Sequence, residues 1–229
     1  SIRRQRQMCI RDRTDPASPR LTVYDDARGA RMEFSAQTLD NWANKVANLL
    51  DEELEVGPEA IIHVDLPVSW QSAVIALGAY NASQRPQIGS ADGLTSESHP
   101  AVVFTTVAGA SRWPSVSDCV VVSDDPFGRG VVESGGELPA GTVDFGPTVR
   151  FYGDQYYNPS PDLLQWNRSE LGAHRYWVQP WSSAEQFEHN VLGPLAADGS
   201  VVFAAGLMSA ERIQEIVAAE KVTHFLTDH

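Results

Sequence analysis

Short apolar runs alternate along this chain with segments in which apolar residues recur at helical spacing. Ala60–Leu66 (AIIHVDL) is one such run, and Pro67 ends it. Ser69–Asn81 then has the pattern of an apolar helix, and further β-branched runs follow at Ala101–Thr106 and Cys119–Ser123. Strands that alternate with helices pair in parallel, because each helix carries the chain back across the sheet. The alternation predicts an α/β fold with a mostly parallel sheet flanked by helices.

The N-terminal part begins with a predicted hairpin and a helix. Arg20–Tyr24 and Arg31–Phe34 have strand composition, and the residues between them, Asp25–Gly29, are typical of a turn. Ser35 is placed to cap a helix, because its hydroxyl can accept a bond from a free backbone N–H at the helix start. Apolar residues then recur at helical spacing until Gly57, where glycine followed by proline predicts the end of the helix.

The last third of the chain repeats the α/β pattern. One helix is predicted to begin at Ser182 or Ser183 and to run to about Ala197, and a second begins at Ser209. The predicted strands of this part are His174–Val178, Ser200–Ala204 and Val222–Leu226.

Glycine and proline are concentrated in the middle of the chain. Residues 126–147 contain six glycines and three prolines, which predicts a linker or a long loop. We therefore expect a first α/β lobe at 14–125 and a second at 148–229, with a single compact unit as the alternative. Val149–Tyr152 is expected to form a strand of the second lobe.

The first 13 residues differ in composition from the rest. Ser1–Arg13 contains five arginines and one aspartate, without the apolar segment that a secretory signal needs. Met8–Asp12 (MCIRD) resembles the translated end of a transposon used to build sequencing libraries. We therefore predict that residues 1–13 are not native to this protein and leave them out of the fold prediction.

Charge and cysteine content exclude several classes of protein. The net charge is −13, and without the +4 of the first 13 residues the other 216 carry −17. Such a chain is a poor partner for nucleic acid or an anionic membrane, and its longest apolar runs are far shorter than the ~20 residues that span a bilayer. Cys119 lies in an apolar run and is predicted to be a buried thiol. We expect a cytoplasmic protein.

Several segments in this order resemble the N-terminal part of the adenylate-forming enzymes, which include acyl-CoA synthetases, nonribosomal peptide adenylation domains and luciferases. The resemblance covers roughly residues 20–85 and 174–226, and Val143–Asp154 is similar to a short actinobacterial family related to AMP-binding enzymes. The matching segments are Phe34–Leu50, Gly57–Trp70, Ile75–Ala82, Pro194–Phe203 and Glu220–Thr223.

The resemblance implies a nucleotide site, but this sequence lacks part of the motif that forms that site in the family. Adenylate-forming enzymes hold the ATP phosphates with a Ser/Thr/Gly-rich loop that ends in Pro-Lys-Gly, and neither a Pro-Lys nor a Gly-Lys dipeptide occurs here. Thr105, Thr106 and Gly109 are the nearest equivalent, with Arg112 as the cation, and are the candidate residues for ATP or AMP. The family's C-terminal domain, which brings a catalytic lysine, is not part of this sequence, and no catalytic residue is assigned.

The resemblance also places Trp181, with the adjacent Ser182, where the family lines its carboxylate-substrate pocket. The alternative is that Trp181 belongs to the core. Glu185 and His189 share a helix face but have no third ligand nearby, so a solvated helix face is the preferred interpretation and no metal site is assigned.

The sequence thus predicts a degenerate relative of the AMP-dependent synthetases and ligases, without adenylation activity, that keeps a pocket for a nucleotide or an acyl group. Its expected partner is a small molecule, a nucleotide or a carboxylate. Two alternatives remain open. The chain is either an incomplete N-terminal piece of an active acyl-CoA or amino-acid ligase, or a structural or protein-interaction subunit.

Overall fold

The computed structural model describes Ile10, residues 15–91 and residues 99–226. The predicted foreign segment, residues 1–13, therefore lies outside the described residues except for Ile10. The strands are β1 (Pro19–Asp25), β2 (Ala30–Ser35), β3 (Ile62–Asp65), β4 (Gln87–Ile88), β5 (Val102–Thr105), β6 (Asp118–Val121), β7 (Val143–Asp144), β8 (Arg175–Val178), β9 (Ser200–Ala204) and β10 (His224–Leu226).

Helices connect most of these strands. Two longer helices contain a π-helical turn, at Leu49–Glu53 after α1 and at Glu188–Leu192 between α4 and α5. The α-helices are α1 (Ala36–Asn48), α2 (Trp70–Asn81), α3 (Phe145–Val149), α4 (Ala184–Phe187), α5 (Gly193–Ala196) and α6 (Ala210–Ala219).

The chain divides into two compact units, each built around one sheet. Among the described residues, the first unit takes in the N-terminal segment up to Asp40, Pro67–Trp70 and the segment from Ser160 onward, and the second takes in Asn41–Leu66 and Gln71–Pro159. The sheet of the first unit has the order β10-β8-β9-β1-β2, and that of the second has the order β4-β3-β5-β6-β7. The predicted fold class is confirmed: both sheets are mostly parallel and helices flank them.

The predicted hairpin is confirmed and forms one edge of the first sheet. Its strands β1 and β2 pair antiparallel, with Tyr24 opposite Arg31. At the turn, Gly29 has a φ of 62°, a left-handed conformation that glycine adopts without a steric penalty. Ser35 caps α1 as expected, because its Oγ accepts the backbone N–H of Thr38 at 3.2 Å.

The predicted lobes, 14–125 and 148–229, do not coincide with the two units. The physical reason is that β1 pairs in parallel with β9, with Leu21 opposite Val201 and Tyr24 opposite Ala204. This pairing makes the N-terminal hairpin part of the same sheet as the last third of the chain. A sequence pattern shows the strands but not which strands pair, so it could not reveal this long-range contact.

Apolar residues cover both faces of the second sheet. Val120 and Val122 face one side with residues from α1, α2 and α3, such as Val46, Ile75 and Phe145. The alternate residues of β6, Cys119 and Val121, face the other side and pack with Val131. Side chains alternate between the two faces of a strand, so a continuous apolar run such as CVVV fits a sheet that is covered on both sides.

The glycine- and proline-rich segment, residues 126–147, is not a linker but a close-packed part of the second unit. Asp144 accepts the backbone N–H of Val131 at 3.1 Å and that of Val132 at 3.4 Å. A Cβ at Gly146 would lie 2.6 Å from the backbone nitrogen of Gly130, so two glycines are needed where these backbones meet. The predicted strand Val149–Tyr152 is also absent, because Val149 is the last residue of α3.

Gly78 of α2 is the point of closest packing against α1. A Cβ there would lie 2.4 Å from Val46 Cβ and 3.0 Å from the carbonyl oxygen of Ala43. In an open helix Gly→Ala stabilises by ~1 kcal/mol, but overpacking a core costs about 1–3 kcal/mol. We expect Gly78→Ala to lower the free energy of unfolding, measured in urea, by about 1 kcal/mol. The variant is then less stable than the parent protein, although alanine has the higher helix propensity.

Gly57→Ala is the matched control for this prediction. No atom lies within 4 Å of a Cβ at Gly57, so its free energy of unfolding should change by less than about 0.5 kcal/mol. A stabilised Gly78→Ala protein would contradict the close packing of α1 and α2.

Candidate functional site

The candidate nucleotide residues lie at the carboxyl edge of the second sheet. Thr105 is the last residue of β5 and pairs in register with Asp65, the last residue of β3. Thr106–Gly109 form a turn that leads into a 3-10 turn at Ala110–Arg112. Ligands of open parallel sheets bind at this edge, outside the carboxyl ends of the strands. The sequence prediction therefore selected residues at an edge of the sheet that suits ligand binding.

The buried carboxylate of Asp65 holds this edge together. Its side chain is 7% exposed, and its Oδ2 accepts bonds from Arg112 Nη2 at 2.7 Å and from the indole Nε1 of Trp113 at 3.0 Å. The Thr105 hydroxyl donates to the same oxygen at 3.4 Å. A buried charge needs such partners to offset the cost of leaving water. The cation and the first hydroxyl of the turn are thus bound to a carboxylate inside the protein.

The turn itself is closed by its own hydrogen bonds. The backbone N–H of Gly109 donates to Thr106 Oγ1 at 3.1 Å. A Cβ at Gly109 would lie 2.2 Å from Thr105 Oγ1, so a side chain at this position would clash with that hydroxyl. Phosphate-binding turns present free N–H groups and a cation. Here the N–H of Gly109 is bonded to the Thr106 hydroxyl, and Arg112 is bonded to Asp65.

Neither lysine of the chain belongs to this turn. Lys45 lies in α1, where its Nζ donates to the carbonyl oxygen of Tyr152 at 2.6 Å and pairs with Asp154 at 2.7 Å. Lys221 follows the end of α6 in the first unit. Arg112 is therefore the cation that this turn contains.

Trp181, the predicted substrate-pocket residue, lies in the core of the first unit. It is 5% exposed and packs edge-to-face on Phe187 and Phe203, with ring centroids 5.2 and 5.1 Å away. Ser182 is exposed, and its backbone N–H and hydroxyl donate to Gln186 Oε1. Ser183 caps α4 by accepting the N–H of Gln186. A pocket role for Trp181 and Ser182 stays a prediction.

Sequence reasoning did not identify a charged cluster around Glu220. This carboxylate follows α6 and accepts bonds from Tyr24 Oη at 2.6 Å, Arg31 Nε at 2.7 Å and Arg175 Nη2 at 2.5 Å. Burial alone would raise the pKa of Glu220, but the hydrogen bonds from Arg31, Tyr24 and Arg175 outweigh it and lower the pKa to about 2. The partners are up to 196 residues apart in sequence, so no local motif marks this cluster.

Other chemistry-bearing residues give no further site. Cys119 is buried, as predicted, and burial raises the pKa of its thiol, which disfavours the reactive thiolate. Within 15–91 and 99–226, no group of three or more His, Cys, Asp or Glu side chains is arranged to hold a metal ion. None of the helices in these ranges is both long and apolar enough to cross a membrane.

The fold is that of the N-terminal part of acyl-CoA synthetases. The acyl-CoA synthetase of Brucella canis matches 95% of this chain with a TM-score of 0.75 and 16% identity, over 46% of its own length. The acetoacetyl-CoA synthetase of Streptomyces lividans and apo MatB of Rhodopseudomonas palustris each have a TM-score of 0.69 and 14% identity, over 41% and 47% of their chains. This chain therefore spans less than half the length of these synthetases.

Sequence comparison gives the family. A TIGR03089 family protein of Mycobacterium tuberculosis is 33% identical over 241 residues, which cover 93% of either chain. This protein belongs to the TIGR03089 family. No family model matches the chain. The resemblance to a short family related to AMP-binding enzymes is confirmed.

Proposed function

We propose that this chain is a cytoplasmic binding protein of the adenylate-forming type that does not itself form acyl-adenylates. Its ligand is a small molecule, a nucleotide or an acyl group. The observation that carries the proposal is the closed turn at Thr105–Gly109, where Arg112 is paired with Asp65. Formation of an acyl-adenylate moves the adenylyl group of ATP to a carboxylate and releases pyrophosphate. The charge that develops on the phosphates in this step needs positive charge to stabilise it, and here the cation Arg112 is paired with Asp65.

The first test is an adenylation assay. We expect no pyrophosphate release above background when the protein is incubated with ATP, magnesium and a panel of aliphatic, aromatic and amino carboxylic acids. An active acyl-CoA synthetase in the same assay is the positive control. Turnover with any acid would overturn the proposal and support the second candidate below.

The second test measures binding by thermal unfolding. A ligand that binds only the folded protein raises the melting temperature. We expect a non-hydrolysable acyl-adenylate mimic or AMP, at about 1 mM, to raise it, since a site of about −4 kcal/mol begins to fill there. No shift with ATP, AMP or the mimic would instead favour a structural or protein-interaction subunit.

A second candidate function rests on chain length. The solved synthetases are more than twice as long as the part that this chain matches. The chain is in that case the N-terminal piece of an active acyl-CoA or amino-acid ligase. Pyrophosphate release that appears only when the product of the complete reading frame is assayed would support this candidate.

A further inference from the structure

Residues 152–158 of the second unit form an irregular strap that side chains of α1 hold in place. Lys45 Nζ donates to the carbonyl oxygen of Tyr152 at 2.6 Å, and Asn44 Nδ2 donates to that of Asp154 at 2.9 Å. Asn48 Nδ2 donates to the carbonyl oxygens of residues 153 and 155 at 3.1 and 2.9 Å. Buried or half-buried backbone carbonyls need such donors. The strap is therefore a defined surface rather than a loose loop.

The π-helical turn Leu49–Glu53 holds the same strap through its carboxylates. Asp51 accepts bonds from Tyr156 Oη and Asn158 Nδ2, both at 2.7 Å. Glu53 accepts a bond from Tyr152 Oη at 2.5 Å. π-helical turns are uncommon and are frequently found at functional sites.

A cleft of about 460 Å³ opens beside this turn, where the strap meets the end of α3. The volume lies within the range of small-molecule sites. Its walls combine apolar and acidic side chains. The lining residues are Glu52, Glu53, Pro147, Thr148, Phe151, Tyr152 and Gly153.

Phe151 supplies an aromatic ring that the fold leaves in water. Its side chain is 91% exposed, although the neighbouring residues Val149 and Tyr156 are buried. Exposing a large apolar ring has a solvation cost, so a ligand that covers this ring at the rim of the cleft gains from its burial. The face of such a ring also attracts cations.

The charge of the cleft is negative. No arginine, lysine or histidine lines it, and no hydrogen bond or ion pair to Glu52 is found within the described ranges of the chain. Burial raises the pKa of Tyr152 to about 12, and the hydrogen bond to Glu53 and the charges of Glu53 and Glu52 add to this effect. Glu52 and Glu53 both line the cleft, where they would repel a phosphate or a carboxylate.

We infer that this cleft binds a small organic ammonium compound with an apolar body, such as an arylalkylamine. The ammonium group pairs with Glu52 and Glu53, and the apolar body packs on Phe151 and Pro147. This site is separate from the proposed nucleotide or acyl site, because its charge excludes anionic ligands. The inference does not rest on the proposed function.

The test is titration of the whole protein with phenethylammonium, followed by NMR chemical shifts and calorimetry. We expect a Kd near ~1 mM, as for other small fragments, with shifts confined to residues of the cleft. The neutral isostere 2-phenylethanol and the anion hydrocinnamate separate charge recognition from apolar contact. Equal binding of the alcohol, or tighter binding of the anion, would overturn the inference.

Variants at the cleft complete the test. Glu52→Gln combined with Glu53→Gln should weaken phenethylammonium binding about ten-fold, since each partly exposed ion pair is worth about three- to five-fold. In Glu53→Gln the side-chain amide oxygen can still accept the bond from the Tyr152 hydroxyl, so the strap stays in place. Phe151→Ala should weaken binding about three-fold. Glu59→Gln, an exposed glutamate outside the cleft, is the matched control and should change binding less than two-fold.

Unchanged binding in the Glu52→Gln, Glu53→Gln protein would overturn the inference. Melting temperatures of all variants within about 2 °C of the parent protein ensure that any loss of binding is not a loss of fold. Failure to bind phenethylammonium at 20 mM, with an intact fold, would also overturn it.

Discussion

Trp181→Ala should lower the free energy of unfolding by about 3–5 kcal/mol, the loss typical of removing a large buried aromatic side chain. The indole is 5% exposed and contacts the rings of Phe187 and Phe203 edge-to-face. Removal leaves a cavity between β9 and the helix that begins at Ala184, and edge-to-face ring contacts are lost in addition to buried area. Urea unfolding followed by circular dichroism measures the effect.

Leu207→Ala is the matched control, because Leu207 is a large apolar residue of the same unit that is fully exposed. Its free energy of unfolding should change by less than about 0.5 kcal/mol. Trp181→Phe, which keeps a ring, should cost less than the alanine variant. If Trp181→Ala costs under about 1 kcal/mol but abolishes binding of an acyl-adenylate mimic, the pocket interpretation of Trp181 replaces the core interpretation.

Glu220→Gln should lower the free energy of unfolding at pH 7 by about 2–3 kcal/mol. The carboxylate is 8% exposed and is bound by two arginines and a tyrosine. Hydrogen bonds to a charged group contribute more than neutral ones. Removing the charge of Glu220 leaves Arg31 and Arg175 with Glu33 as their remaining shared carboxylate, at 2.6 and 3.8 Å. Urea unfolding at pH 7 and at lower pH tests this prediction.

The effect should depend on pH in one direction. The pKa of Glu220 is lowered from an ordinary 4.5 to about 2 in the folded protein. The stability that its charge contributes is therefore complete above pH 4.5 and is lost as the pH falls from 4.5 toward 2. The difference between the parent protein and Glu220→Gln should shrink over that range.

Glu215→Gln serves as control, because Glu215 is 67% exposed in its pair with Arg212. An exposed pair contributes about 0–1 kcal/mol, so this variant should stay close to the parent protein at every pH. A Glu220→Gln protein as stable as the parent at pH 7 would show that the cluster is not a stabilising centre.

The sequence identified the candidate site residues but not the residue that they contact. Thr105, Thr106 and Gly109 are candidates because the resemblance to adenylate-forming enzymes implies a loop rich in hydroxyl residues and glycine, and these residues are its nearest equivalent. They lie at the carboxyl edge of a parallel sheet. The sequence did not indicate Asp65 as their partner, which is 40 residues away. Pairing between β3 and β5 places Asp65 beside Thr105. There its carboxylate accepts bonds from Thr105 and Arg112, so these two groups are not free to bind a phosphate.

The sequence by itself determined the fold class and most of the secondary structure, with Val149–Tyr152 as an exception. Alternating apolar runs and helical spacing predicted the hairpin, the parallel strands and the cap at Ser35, because these depend on neighbours a few residues apart. The resemblance of segments 34–50 and 194–203 to adenylate-forming enzymes likewise rests on local order and is matched by the fold.

Only the tertiary structure decided which strands share a sheet and which charges meet. The pairing of β1 with β9 overrode the predicted lobes, and the packing of Gly130 against Gly146 turned a predicted linker into a compact segment. The Glu220 cluster and the cleft at Phe151 likewise join residues far apart in sequence. Such contacts depend on how buried surfaces fit together in three dimensions, which no short window of residues specifies.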